Sequence, residues 1–133
     1  MYTGFLHLHN ALRLAIIISM VVVFVRALMA ASGSSKIGAK AVLPAIITVD
    51  LQLLVGVALY ALSPVVKGLD KEHYFAYLHP LLMILAIVGV HIVQARNKKS
   101  AGENPRMVAV GMGLVLVLTL LAIPWQRALL PGM

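Results

Sequence analysis

Apolar residues in this chain do not alternate with polar ones. They run in four long blocks separated by three short polar stretches. The blocks extend from about Tyr2 to Ala31, Ala41 to Leu62, Tyr74 to Gln94 and Met107 to Ile123. Crossing a bilayer takes about 20 predominantly apolar residues in helical form, and each block approaches or exceeds that length. The stretches between them, SGSSKIGAK, SPVVKGLDKEH and ARNKKSAGENPR, carry the Gly, Ser, Pro and charge of loops. Connections this short make consecutive helices antiparallel neighbours. The pattern therefore predicts an all-α membrane four-helix bundle, up-down-up-down, over residues 1–133 as a single transmembrane domain. No internal repeat is visible, and no linker is long enough to hide a soluble domain.

Composition agrees with the blocks. Of the 133 residues 62% are hydrophobic and 11% charged, against about half and about a quarter in soluble domains. Lipid is thus the first expected partner. The chain has no cysteine, which excludes disulfides, thiolate metal sites and a cysteine nucleophile. A net charge of +7 would suggest nucleic acid in a soluble chain. Here the cations flank apolar blocks, so they act as topology signals and no nucleic-acid partner is expected. Arg26, Lys36, Lys40, Arg96, Lys98, Lys99 and Arg106 mark one side, and Lys67, Lys71 and Arg127 the other, where Asp70 and Glu72 offset two of them. Positive charge stays cytoplasmic, which places the N- and C-termini on the non-cytoplasmic side. Tyr2, Tyr60, Tyr74, Tyr77 and Trp125 fall at that outer boundary, as an aromatic belt does. The first block is expected to remain as a span rather than be cleaved, because it lacks a basic n-region and Arg13 interrupts it.

A bilayer makes intramembrane polar side chains expensive, so each is a candidate functional residue. They are His7, His9, Asn10 and Arg13 in the first block, Thr48, Asp50 and Gln52 in the second, and His79 and His91 in the third. A rise of 1.5 Å per residue puts His9 roughly 10 Å and His79 roughly 9 Å inside the outer boundary. Their helices run in the same direction and are expected to face each other across the core. Two imidazoles at one depth on opposing helices suit a b-type haem, each binding the iron from one face. His9 shares a sector of about 100° with Asn10 and Arg13, whereas His7 lies about 160° away. His9 and His79 are therefore the expected haem b ligands, with His7 as the alternative on the first helix. Met83 shares the stripe of His79, and Gly56 could admit a porphyrin edge. His91 lies about 18 Å deeper than His79, leaving only a His–Met pair with Met20 or Met112 as a second haem arrangement. Two other readings stay open: copper or another small metal held by His7, His9 and His73, or packing and hydrogen bonding without a cofactor.

Arg13 and Asp50 each fall roughly 15–16 Å from their own boundaries, near the midplane of a core about 30 Å thick. An intramembrane ion pair between Arg13 and Asp50 is the economical expectation. It would fix helix register, relay protons, let Arg13 contact a haem propionate, or form part of a quinone site. Along the second helix Ala41, Ala45, Thr48, Gln52, Gly56 and Ser63 form a stripe suited to close packing, with Thr and Gln bonding across it.

The strings LHLHNALR at 6–13 and TVDLQLLVGVALY at 48–60, the pair HP at 79–80 and IPW at 123–125 resemble a family of small four-helix membrane proteins of Bacteroidetes-type bacteria, often labelled cytochrome b. The resemblance covers nearly the whole chain. It implies haem b and a respiratory setting in the bacterial inner membrane, carried here on His9 and His79. One departure is Leu14, where a tryptophan commonly follows the LR pair; an aromatic wall is lost but no ligand. The expectation is a membrane cytochrome that moves electrons between a quinone pool or membrane partner and an outer acceptor, as a homo-oligomer or a subunit of a larger complex. The alternatives are a cofactor-free accessory subunit and a copper- or proton-handling membrane protein. Hydrolytic and kinase chemistry is excluded for want of a nucleophile motif, an acid–base pair or a nucleotide loop.

The charge distribution makes one direct prediction. A reporter fused after Met133 should read as external, and one inserted between Ser34 and Lys36 as cytoplasmic. The opposite activities would reverse the orientation while leaving the spans in place.

Overall fold

The computed structural model describes residues 2–33, 35–62 and 78–122. Four helices make up nearly all of it: α1 (Tyr2–Ser32), α2 (Ala39–Leu62), α3 (His79–Lys99) and α4 (Pro105–Ala122). All four are long and apolar enough to cross a membrane, so the protein is a multi-pass membrane protein in contact with lipid. In hydrocarbon a backbone must satisfy its own hydrogen bonds, and the helix does so within one segment. His73, Tyr74, Tyr77, Trp125 and the basic residues of their side lie outside the described residues.

The helix ends follow local chemistry. Asn104 Oδ1 accepts a 3.1 Å bond from the Met107 amide, an N-cap that precedes Pro105 at the first helical position. α3 ends in Arg96, Lys98 and Lys99, cations that suit the negative end of the helix dipole. The two connections at this end of the bundle are tied together. Ile37 N donates to Gly102 O (3.0 Å) and Gly102 N to Asn97 O (3.0 Å), while Asn97 Nδ2 donates to Ile37 O (3.3 Å). Gln94 Nε2 adds a bond to Ala39 O at 3.1 Å. Gly102 has φ +75°, and a Cβ there would meet Ile37 O at 2.4 Å. Both the left-handed backbone and the contact therefore require glycine.

The helices form a bundle in which α1 packs on α2 and α4, and α3 packs on α4 and α2; α1 and α3 are diagonal. Contacts such as His9 with Gln52 and His79 with Ala122 join the start of one helix to the end of the next, so sequential helices are antiparallel. Each helix contributes an inward seam spaced by threes and fours: Ile16, Met20, Val23 and Ala27; Val42, Ala45, Val49 and Gln52; Ala86, Val90, Val93 and Asn97; Val108, Met112, Val115 and Thr119. That spacing is the one used by closely aligned helix bundles. The seams are rich in Ala and Val, and the bulkier Leu side chains largely face out, among them Leu51, Leu54, Leu114 and Leu121. Lipid tails are as apolar as leucine, so helices associate through close packing of small residues rather than through burial of large ones.

Glycines let α3 and α4 approach closely. A Cβ at Gly89 would lie 2.8 Å from Val115 Cγ2, and one at Gly111 2.6 Å from Val93 Cγ2. Each helix thus presses a valine into the other's glycine. Substituting leucine at Gly89 or Gly111 should destabilise the bundle by about 1–3 kcal/mol, as overpacking does. Unfolding in detergent micelles measures this. Val93→Ala should recover part of the loss in Gly111→Leu but none in Gly89→Leu, since the two contacts are separate.

Candidate functional site

At the end of the bundle opposite the tied connections, every helix places polar groups toward the interior. α1 supplies His9 and the buried Arg13, α2 the buried Gln52, α3 His79 and α4 the buried Thr119. These positions continue the apolar seams, so the fold that packs Met20 and Met112 in the centre also turns these residues inward. Gln52 Nε2 donates to the His9 carbonyl at 2.8 Å, joining α2 to α1. His79 Nδ1 lies 2.9 Å from the Ala122 carbonyl, joining α3 to α4. A carbonyl can only accept, so Nδ1 carries the proton and the lone pair of the ring lies on Nε2.

The imidazoles of His9 and His79 meet across the diagonal. Their centroids are 6.3 Å apart and their planes cross at 80°. Gly56 borders them: a Cβ there would be 3.7 Å from His9 Cε1, an ordinary contact. Met83 is half-buried, one turn after His79. Arg13 is one turn after His9, close enough to share its environment.

Three observations test the fit of this layer to a b-type haem. Imidazole nitrogens bind first-row metals at ~2 Å. Two such bonds, with each ring's own radius, set the centroids roughly 6 Å apart, as these are. The coordination axis lies in both ring planes whatever the angle between them, so the crossed planes suit the arrangement. His79 already has the outer hydrogen bond to a backbone carbonyl that metal-binding histidines characteristically make. Finally, His9 Nδ1, Gln52 Oε1 and Thr119 Oγ1 are buried with no hydrogen-bond partner among the described residues, an expensive condition that a polar or metal-containing group could relieve. By its chemistry the donor set of His9 and His79 is one that such a group could use, with Gly56 beside His9 and Arg13 and Met83 one turn further along their helices.

The other sequence candidates fall elsewhere. His7 is exposed on the far side of α1. Among the described residues no group of three His, Asp or Glu could hold a metal ion, and His73, needed for the copper reading, lies outside them. His91 does not face Met20 or Met112, which are fully enclosed. Its Nε2 lies 2.8 Å from Asp50 Oδ1 instead.

Asp50, expected opposite Arg13, thus lies against His91. Depth along the membrane brought Arg13 and Asp50 together, but azimuth separates their roles. Arg13 turns into the core, whereas Asp50 is rotated about 100° from buried Val49 and faces α3 at the lipid side. Thr48 is also reassigned, since its Oγ1 bonds Pro44 O (2.9 Å) and Ala45 O (3.1 Å) in its own helix instead of bonding across. Of the layer's members, Thr119 carries no site signal in the sequence, where it is one more residue of an apolar block, and the polar signal of Gln52 is assigned there to helix packing. The threes-and-fours spacing from Val108 through Met112 and Val115 was the available cue to Thr119.

No family model matches the chain, and neither the curated proteins nor the solved structures give a match.

Proposed function

We propose that this protein is a small b-type cytochrome of the bacterial inner membrane, with its termini on the non-cytoplasmic side. The observation that carries the proposal is the His9–His79 pair, two imidazoles with centroids 6.3 Å apart on helices that otherwise pack as diagonals. The resemblance of LHLHNALR and its companion strings to small membrane proteins labelled cytochrome b supports the same reading.

The bound haem would supply reversible one-electron exchange. The chain's own residues do the rest. His79 is held by its Nδ1–H bond to Ala122 O, which leaves Nε2 as the nitrogen that would bind the iron. That hydrogen bond also strengthens the nitrogen as a donor. His9 is held from behind, because Gln52 fixes the backbone that carries it. Gly56 leaves room beside the His9 ring. Arg13 supplies a buried positive charge that suits a propionate. The apolar seams below the layer exclude water from the side where electrons would otherwise leak to solvent. Electrons would pass between a quinone pool or a membrane partner and an acceptor on the outer side.

A cofactor-free accessory subunit is the second reading, favoured by the edge-to-face contact of the two rings. Such a contact, with the His79–Ala122 bond, can hold helices together by itself.

An absorption spectrum of protein purified in mild detergent, oxidised and then dithionite-reduced, separates the two. One low-spin haem b per chain should give sharp alpha and beta bands on reduction. His9→Ala and His79→Ala should each abolish those bands or convert the iron to a high-spin form. His7→Ala should shift them slightly and His91→Ala not at all. Colourless protein from haem-replete cells would overturn the cytochrome in favour of the accessory subunit. Bands lost with His7 but retained without His9 would move the ligand to the other face of α1.

A further inference from the structure

The Asp50–His91 pair belongs to no part of the haem layer. It bridges the α2–α3 seam on the outside of the bundle, and both side chains are 48% exposed. Asp50 lies eleven residues after Ala39 in α2, so it sits roughly 17 Å along the helix from that end. In a hydrocarbon core about 30 Å thick this is mid-membrane. Its exposed neighbours are apolar: Ile47 and Leu54 along α2, Val88 along α3. Acyl chains offer no hydrogen bonds, so an ionisable pair facing them is costly and calls for a cover.

The chemistry of the pair identifies that cover. The bond uses His91 Nε2 and Asp50 Oδ1, which leaves each side chain a further polar atom, imidazole Nδ1 and carboxyl Oδ2. One is a nitrogen and the other an oxygen, carried by two half-exposed side chains on the same α2–α3 seam. Such a surface is complementary to itself. Under a two-fold axis His91 of one copy faces Asp50 of the next, and the reverse contact follows from the symmetry. With the imidazole charged or the carboxyl protonated, one of these two atoms donates and the other accepts. Any other partner would need a matching pair in register, whereas a second copy of this chain has one by construction. The flanking residues fit such contact. Ile47, Asp50 and Leu54 on α2, and Val88, His91 and Ala95 on α3, are spaced by three and four, as contact stripes of aligned helices are.

We infer that the α2–α3 seam is the interface of a two-fold homodimer within the bilayer, centred on Asp50 and His91. The pair works as the polar clasp of that interface, with Leu54 and Val88 packing around it. This interface is independent of the haem and lies on a different face of the molecule.

The absence of native cysteine makes the test clean, since an introduced thiol is unique. Leu54→Cys or Val88→Cys, oxidised in native membranes, should give disulfide-linked dimers of twice the chain mass. Leu114→Cys on α4 and Met29→Cys on α1, equally exposed to lipid, should give at least ten-fold less. In the Leu54→Cys background, changing both Asp50 and His91 to leucine should lower the dimer yield at least five-fold. Equal cross-linking at position 114 or 29 would overturn the interface. So would an undiminished yield after the double leucine change, or a cross-linked product whose mass shows a different subunit. The cysteine pattern alone decides the matter even if the double leucine variant folds poorly. The readout is a covalent dimer rather than a colour, so it is blind to whether haem is bound.

Discussion

Hydrocarbon gives a polar atom nothing to bond, and that single constraint organises this molecule. Inside a soluble domain an imperfect hydrogen bond can be repaired by water; in a bilayer interior it must be repaired by protein. The inward polar side chains of these helices accordingly reach for backbone carbonyls on neighbouring helices or connections. Gln52 takes the carbonyl of His9, His79 that of Ala122, Gln94 that of Ala39 and Asn97 that of Ile37. Each bond fixes the register of two segments. Together they form a polar layer at one end and a tied set of connections at the other, with an apolar middle packed by alanine, valine and methionine.

The middle shows why such bonds matter. Burial of large apolar side chains gives little preference for one helix arrangement when the surroundings are lipid. Specificity comes instead from shape, as in the valines of α3 and α4 that press into facing glycines, and from polar contacts that only one arrangement satisfies. The end with the tied connections is the more heavily determined. Asn97, 1% exposed, links the α1–α2 connection to α3, and Gly102 permits a backbone approach closed to any other residue. That rigid end frees the opposite end to be specialised. There His9 Nδ1, Gln52 Oε1 and Thr119 Oγ1 are buried without a partner among the described residues, as Gln94 Oε1 and Asn97 Oδ1 are at the tied end.

The layer at that opposite end is the physical basis of the proposed haem site. His9 and His79 are brought together by helices that do not otherwise pack on each other, and buried nitrogen and oxygen atoms around them lack hydrogen bonds. Asp50 and His91 form a second polar feature, unlike the first in every respect that matters. It is on the outside, it bonds itself, and it faces lipid. Its polar demand is the one that the inferred two-fold contact would meet.

The sequence determined what depends on position along the membrane normal. Block lengths gave the spans, because a helix in lipid needs only its own backbone and an apolar exterior. Residue counting set His9 and His79 at one level for the same reason, since helical rise is fixed. What the sequence left undecided was rotation about each helix axis. In a soluble helix the polar face announces the outside; here Leu54 faces lipid and Val49 faces the core, and both are simply apolar. Asp50 and Arg13 therefore matched in depth, and the polar sector of α1 already marked Arg13 as inward, yet only the packed bundle gave Asp50 to His91. Thr119 stayed hidden in an apolar run, and Gly102 in a polar one, until neighbouring segments supplied their surroundings. Depth is a property of one helix and its medium, whereas azimuth is decided only when helices pack on one another.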